Sequence, residues 1–283
     1  MKKFLTLLLL FSSTIYAKTD VLVSIVPQKY FVEKIGGEKV DVAVMVEKGT
    51  SPHDYTPKPS QMKKVSKAQI YFSIGVEFEE VWLPKFQNQN KKMQIVDSSL
   101  NVRKHVAHHN CSGQHDHNHE NLSIDPHIWV DPINVKTIAN NIYKTLMEKD
   151  AQNAQYYTKN YNAFLKELDT LHNEIQKILK ETPAWSYFMV FHPSWGYFAK
   201  RYQLIQLPVE IEGKEPKMKD LISIINKAKK LNVKAIFTQP EFSDKASKII
   251  AKQLNIEVVK ASPLAENWAE NLKFLASSIA HKK

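Results

Sequence analysis

Apolar residues in this chain recur in two rhythms. Short apolar runs stand at Val21 to Val26, Val40 to Val46, Gln69 to Ile74 and Gln94 to Val96. Gln28 to Ile35 and Ser60 to Lys67 carry their apolar residues at helical spacing between those runs. The alternation returns in the second half. Strands are predicted at Tyr187 to Phe191, Leu204 to Val209, Ala235 to Thr238 and Glu257 to Lys260. Helices are predicted at Ser194 to Arg201, Lys217 to Lys230, Asp244 to Leu254 and Asn267 to Ala280. Strands that alternate with helices predict an α/β fold with parallel sheets flanked by helices.

The middle of the chain keeps a helical period from Ile133 to Leu179. Ile138, Ile142 and Leu146 form one face. Tyr157, Tyr161, Phe164, Leu168, Leu171, Ile175 and Leu179 form a longer stripe at spacings of three and four. A helix from Ala151 to Lys180, free of Gly and Pro, would be about 45 Å long, a stiff strut between two lobes. The segment from Val102 to Ser123 has no periodicity, is rich in His and Asn, and reads as a loop. By size alone the chain could build two modest lobes or one large domain.

The first residues change the picture of where such a fold works. Met1-Lys2-Lys3, an apolar run from Phe4 to Phe11 and small residues up to Ala17 describe a secretory signal peptide, with cleavage expected after Ala17. The run is shorter than the roughly 20 residues of a membrane-spanning helix. No Cys follows it, so a periplasmic protein without a lipid anchor is expected, with 266 of the 283 residues left after removal of 17. The net charge of +10, or +8 without Lys2 and Lys3, comes from lysines scattered over helical faces. That pattern fits a solvated surface, and nucleic acid is not expected as a partner. Cys111 is the only cysteine, so no internal disulfide forms. It is either a free thiol or an accessory soft ligand.

Candidate chemistry lies in the histidines. Three of the eleven stand apart beside prolines, in Ser51-Pro52-His53, Asp125-Pro126-His127 and His192-Pro193. Neutral imidazole is the commonest protein ligand of transition metals. In open parallel sheets, ligands bind beyond the carboxyl ends of the strands. His53 and His192 each follow a predicted strand, and His127 opens the long helical region. Proline fixes its own φ and restricts the residue before it, which lowers the cost of ordering these turns around a cation. A further six crowd together at His105, His108, His109, His115, His117 and His119, with Asp116 and Glu120 among them. They read as a loose, low-affinity collector of metal, or else as a polar loop with no role. Ordering such a loop costs entropy, so its affinity should lie well below that of the braced set. His172 and His281 read as structural.

Val26-Pro27, Ser51-Pro52-His53-Asp54-Tyr55 with Pro59-Ser60, Asp125-Pro126-His127-Ile128-Trp129-Val130-Asp131-Pro132, Phe191-His192-Pro193 and Glu212-Gly213-Lys214-Glu215-Pro216 span nearly all of the chain after residue 17. In this order they resemble the metal-specific solute-binding proteins of bacterial ABC importers, in particular the periplasmic zinc-uptake group with a His-rich loop. The resemblance implies two lobes, each a small parallel sheet flanked by helices, bridged by one long helix. It divides the chain into a first lobe at 18–150 with the loop at 102–123, a linking helix at 151–181 and a second lobe at 182–283. The metal would sit in the cleft, on His53 and His127 from the first lobe and His192 from the second.

Three imidazoles suit Zn²⁺, whereas manganese-type relatives use two His and two carboxylates. His192 at the third position therefore favours zinc over a manganese or iron receptor. The pattern departs from the family at the fourth donor. Some zinc members have Glu where this chain has Pro52, and manganese members supply Asp near Ser262. Water, Glu210, Glu212 or Glu241 is left for that place. The implied partner is an integral-membrane permease with a cytoplasmic ATPase, and the implied receptor is a monomer that is not an enzyme. Three His plus water is also the ligand set of some zinc hydrolases. No H-E-x-x-H helix or paired general base accompanies it here.

Overall fold

A computed structural model of the chain describes residues 18–106, 124–211 and 213–281. The expected signal peptide lies outside the described residues, as do Cys111, Glu212 and five of the crowded histidines (His108, His109, His115, His117 and His119). Among the described residues, no helix is long and apolar enough to cross a membrane.

Two four-stranded parallel sheets carry the fold. In the first, β1 (Thr19–Val23) pairs with β2 (Val40–Val44) and β3 (Ile70–Ser73), and β4 (Gln94–Asp97) pairs with β3. Helices α1 (Val26–Gly36), α2 (Pro59–Val65) and α3 (Phe78–Gln89) connect these strands. In the second, β5 (Ser186–Val190) pairs with β6 (Leu204–Pro208) and β7 (Ala235–Thr238), and β8 (Glu257–Lys260) pairs with β7. Its connections are α6 (Gly196–Arg201), α7 (Met218–Lys230) and α8 (Lys245–Leu254). Each half thus repeats one strand order: second, first, third, fourth. Val21 to Val23 of β1 and Ala235 to Phe237 of β7 are continuous buried apolar runs rather than alternating ones, as in a parallel sheet covered on both faces.

The element boundaries differ from the expected ones in two informative places. The first strand ends at Val23 rather than Val26, because Val26-Pro27 open α1, where proline's fixed φ suits the first helical turn. Helix α3 was not expected at all. Pro84 lies inside it and its exposed face is polar, so the apolar period is faint. Burial of Phe78 and Phe86 and the anchoring of Glu79 hold it in place despite the proline.

Helix α4 (Pro132–Lys149) leads through one 3₁₀ turn into the long helix α5 (Ala154–Leu179). Its 26 residues make α5 about 39 Å long. Its stripe of Tyr157, Phe164, Leu168, Leu171, Ile175 and Leu179 is buried. The final helix, α9 (Trp268–Ile279), returns to pack on α5. There the Trp268 ring meets Phe31 edge-on at 5.0 Å. The Trp268 indole N–H donates to the Trp129 carbonyl at 2.9 Å, and the Trp129 indole N–H donates to the Pro263 carbonyl at 2.8 Å. Arg201 of α6 grips Asp131 at the start of α4 with bonds of 2.8 and 3.0 Å. These ties fix the carboxyl ends of the two sheets across one cleft.

Candidate metal centre

The cleft, of about 960 Å³, is lined from the first half by Ser51, His53, Glu77, Asp125 and His127, and from the second by His192, Glu210 and Glu241. Each histidine is held by a local device that the sequence builds around it. The turn after β2 carries His53, whose backbone N–H donates to Ser51 Oγ at 3.2 Å. The carbonyl of buried Pro52 accepts from Phe78 at the start of α3, 3.3 Å away. His127 sits just before a 3₁₀ turn at Ile128–Val130, and its backbone N–H donates to Asp125 Oδ1 at 2.9 Å. His192 follows β5. The Gln239 side chain clamps its backbone, accepting from its N–H at 3.3 Å and donating to its carbonyl at 2.8 Å. Phe242 stacks on the His192 ring at 4.8 Å.

The three rings converge. One ligand atom from each lies within 4.8 Å of the others. His53 Nε2 and His192 Nε2 are 3.1 Å apart. Each Nδ1 is turned outward onto a carboxylate: His53 to Glu77 at 2.9 Å, His127 to Asp125 at 2.8 Å and His192 to Glu210 at 2.9 Å. A neutral imidazole that donates its Nδ1 proton presents a bare lone pair at Nε2. Three such lone pairs pointing inward repel one another unless a cation or a shared proton lies between them. Zinc–nitrogen bonds of about 2.0–2.1 Å in tetrahedral geometry place neighbouring nitrogens about 3.3–3.4 Å apart. The 3.1 Å contact is close to that spacing. The donor set therefore fits a zinc-sized cation, with carboxylates orienting the imidazoles from behind.

The local electrostatics divide the rings. Burial alone would lower the His53 pKa, but the hydrogen bond and charge of Glu77 more than offset it, and the ring is held above its ordinary value. Glu77 shows the reciprocal effect. Burial opposes its ionisation, yet the bond to His53 brings its pKa below the usual carboxylate range. Burial lowers the His192 pKa and the other two rings add to that; Glu210 only partly compensates. These directions make His53 the readier of the two rings to hold a proton and His192 the readier to lose one, across an Nε2–Nε2 contact of 3.1 Å.

The remaining site expectations fall elsewhere. His105 stands at the root of the His-rich segment, apart from the triad. Its ring stacks on Tyr197 at 5.0 Å, and Lys200 Nζ lies 3.3 Å from its Nδ1. Burial and the Lys200 charge lower its pKa. Glu210, a candidate direct donor, uses Oε1 on His192 Nδ1. Glu241 Oε1 accepts from Ser262 at 2.7 Å, and burial raises its pKa. The supporting roles of Glu77, Asp125 and Gln239 were missed from the sequence. Only Asp125 left a signal there, two residues before a histidine and next to a proline. Glu77 and Gln239 reach the site from distant turns.

The family model described as "ZnuA: Zinc-uptake complex component A periplasmic" matches residues 21–281. A solved structure described as "Crystal structure of ZnuA" is 41% identical, with a TM-score of 0.85, over 93% of this chain and 98% of that one. A second, a ZnuA deletion mutant with zinc bound, is also 41% identical, with a TM-score of 0.83, over 93% and 97%. The high-affinity zinc uptake system protein ZnuA of Bacillus subtilis is 28% identical, over 84% of this chain and 76% of its own length.

Proposed function

Because the chain belongs to the ZnuA family of periplasmic zinc-uptake components, solute-binding proteins rather than enzymes, we propose that it captures one Zn²⁺ on His53, His127 and His192 and delivers it to an integral-membrane permease with a cytoplasmic ATPase. The observation that carries this reading is the convergence of three imidazoles, each with its Nδ1 held by a carboxylate. A solved ZnuA relative with zinc bound supports the choice of metal. So does the donor chemistry, since three imidazoles suit zinc better than the hard, oxygen-preferring Mn²⁺.

In this reading residues 18–150 and 182–283 act as two lobes around the cleft, with 151–181 as the link. Capture draws one histidine of the second lobe onto two of the first. Docking on the permease parts them and releases the ion. Residues 1–17 direct export and are cleaved after Ala17. The His-rich segment (His105, His108, His109, His115, His117 and His119) acts as a low-affinity collector of metal.

Competitive zinc titration against a chelator tests the assignment. The variant with His53→Ala, His127→Ala and His192→Ala should lose tight binding. Full tight binding in that variant would show that the ion is held elsewhere.

A further inference from the structure

The geometry points to Glu241 as the fourth donor to the bound metal, an oxygen contributed by the second half of the chain. This rests on the zinc-site reading above and extends it.

Glu241 lies just past the end of β7 and lines the same cleft as the three histidines. Its Oε1 is held by Ser262, whose Oγ also accepts from the Leu264 N–H at 3.0 Å and whose carbonyl accepts from Asn271 at 2.9 Å. Its Oε2 is buried and has no hydrogen-bond partner among the described residues. A buried polar atom without a partner is costly and calls for a role. A carboxylate oxygen in that state takes up either a proton or a cation.

The other carboxylates of the cleft are accounted for. Glu77, Asp125 and Glu210 are each engaged with a ring Nδ1, and Asp54 is exposed to water. Topology adds a second argument. The two sheets share one strand order, so the turns after β3 and β7 are equivalent. Glu77 comes from the first of these turns and Glu241 from the second. One serves a histidine from behind; its counterpart has an oxygen to spare.

Among the described residues only the three histidines fall within the 4.8 Å cluster, so Glu241 must swing from its present position to ligate. Its loop is already tied to His192 through Gln239 and Phe242. Three neutral imidazoles leave the full double charge of the ion in a partly buried cleft. A carboxylate halves that charge, which a water molecule cannot do.

The test uses the full chain with Glu241→Gln, Glu241→Ala and, as a reference, His192→Ala. Three quantities are read: zinc affinity by chelator competition, the visible spectrum of bound Co²⁺, and melting of the metal-free protein. Both Glu241 variants should bind zinc at least roughly tenfold more weakly, the lower end of what loss of an orienting partner costs. Their Co²⁺ spectra should change, and metal-free melting should not fall. If affinity and spectrum stay unchanged while His192→Ala loses tight binding, Glu241 is not a ligand and the zinc site stands. A weaker affinity with an unchanged spectrum also overturns the assignment, because Glu241 would then act indirectly. If His192→Ala keeps tight binding, the zinc-site reading itself fails. Should Glu241→Ala fail to fold, the isosteric Gln variant decides.

Discussion

Replacing Glu77 by Gln should change how zinc binding depends on pH, more than it changes the fold. In the metal-free protein Glu77 keeps the His53 pKa above its ordinary value, so below that raised value His53 carries a proton that zinc must displace. Each displaced proton makes binding tenfold weaker per pH unit below the pKa of its group, about 1.36 kcal/mol. In Glu77→Gln the His53 pKa drops, so that proton leaves at a lower pH than in the wild type. The slope of log affinity against pH should therefore be shallower in the variant, by up to one proton. The window runs from about pH 6.5, the ordinary His value, up to the raised value of His53. Above it the variant should bind about 10–100-fold more weakly, because the carboxylate that orients the ring is gone. The gap should narrow as pH falls, since the wild type alone is still displacing that proton.

The His53–Glu77 pair also affects stability without metal. A raised folded pKa stabilises fully below the unfolded value, and the contribution is lost as pH rises through the folded one. With the Glu77 side chain 46% exposed, the pair contributes no more than about 1 kcal/mol. Calorimetric titration in buffers of different ionisation enthalpy measures the protons released. An unchanged proton count in Glu77→Gln would refute the assignment of that proton to His53.

Other outcomes follow from the same geometry. Asp125→Ala removes the acceptor of both the backbone N–H and Nδ1 of His127, and should weaken zinc binding about 10–100-fold in a chelator competition. Gly196→Ala would place a Cβ 2.7 Å from Asp125 Oδ2 and 3.2 Å from Gln206 Nε2, pushing that carboxylate off His127. It should cost about 1–3 kcal/mol in denaturant melting and also weaken zinc binding. Glu79, buried and raised to about 7, holds the turn before α3 by accepting from the N–H groups of Ile74 and Gly75. A carboxyl with a raised folded pKa loses stability as pH rises from its unfolded value through the folded one. Melting temperature should therefore fall between about pH 4.5 and 7, and that component should vanish in Glu79→Gln. Deleting residues 107–123 should leave one tight zinc site and remove only weaker binding, as read by calorimetry.

What could be read along the chain was whatever depends on neighbours in sequence. Apolar rhythm marked the strands of both sheets and the stripe of α5, because burial of one face imposes a period that any short window displays. Prolines beside His53, His127 and His192 marked turns, two after strands and one at the entry to the long helical region, and made the three histidines legible as candidate ligands. Helix α3 escaped because Pro84 and a polar face mask its period, and its reason for existing is the distant packing of Phe86. Folding decided which groups stand behind the three histidines. Glu77 meets His53 and Glu210 meets His192 only because parallel strands bring their carboxyl ends to one edge. That meeting joins residues 18 or more positions apart in sequence, and no local preference records it. The return of α9 onto Phe31, and the hold of Ser262 on Glu241 across 21 residues, are of the same kind. Sequence spacing set the conformation of each turn; which turns face one another was set by the packing of two sheets and one long helix.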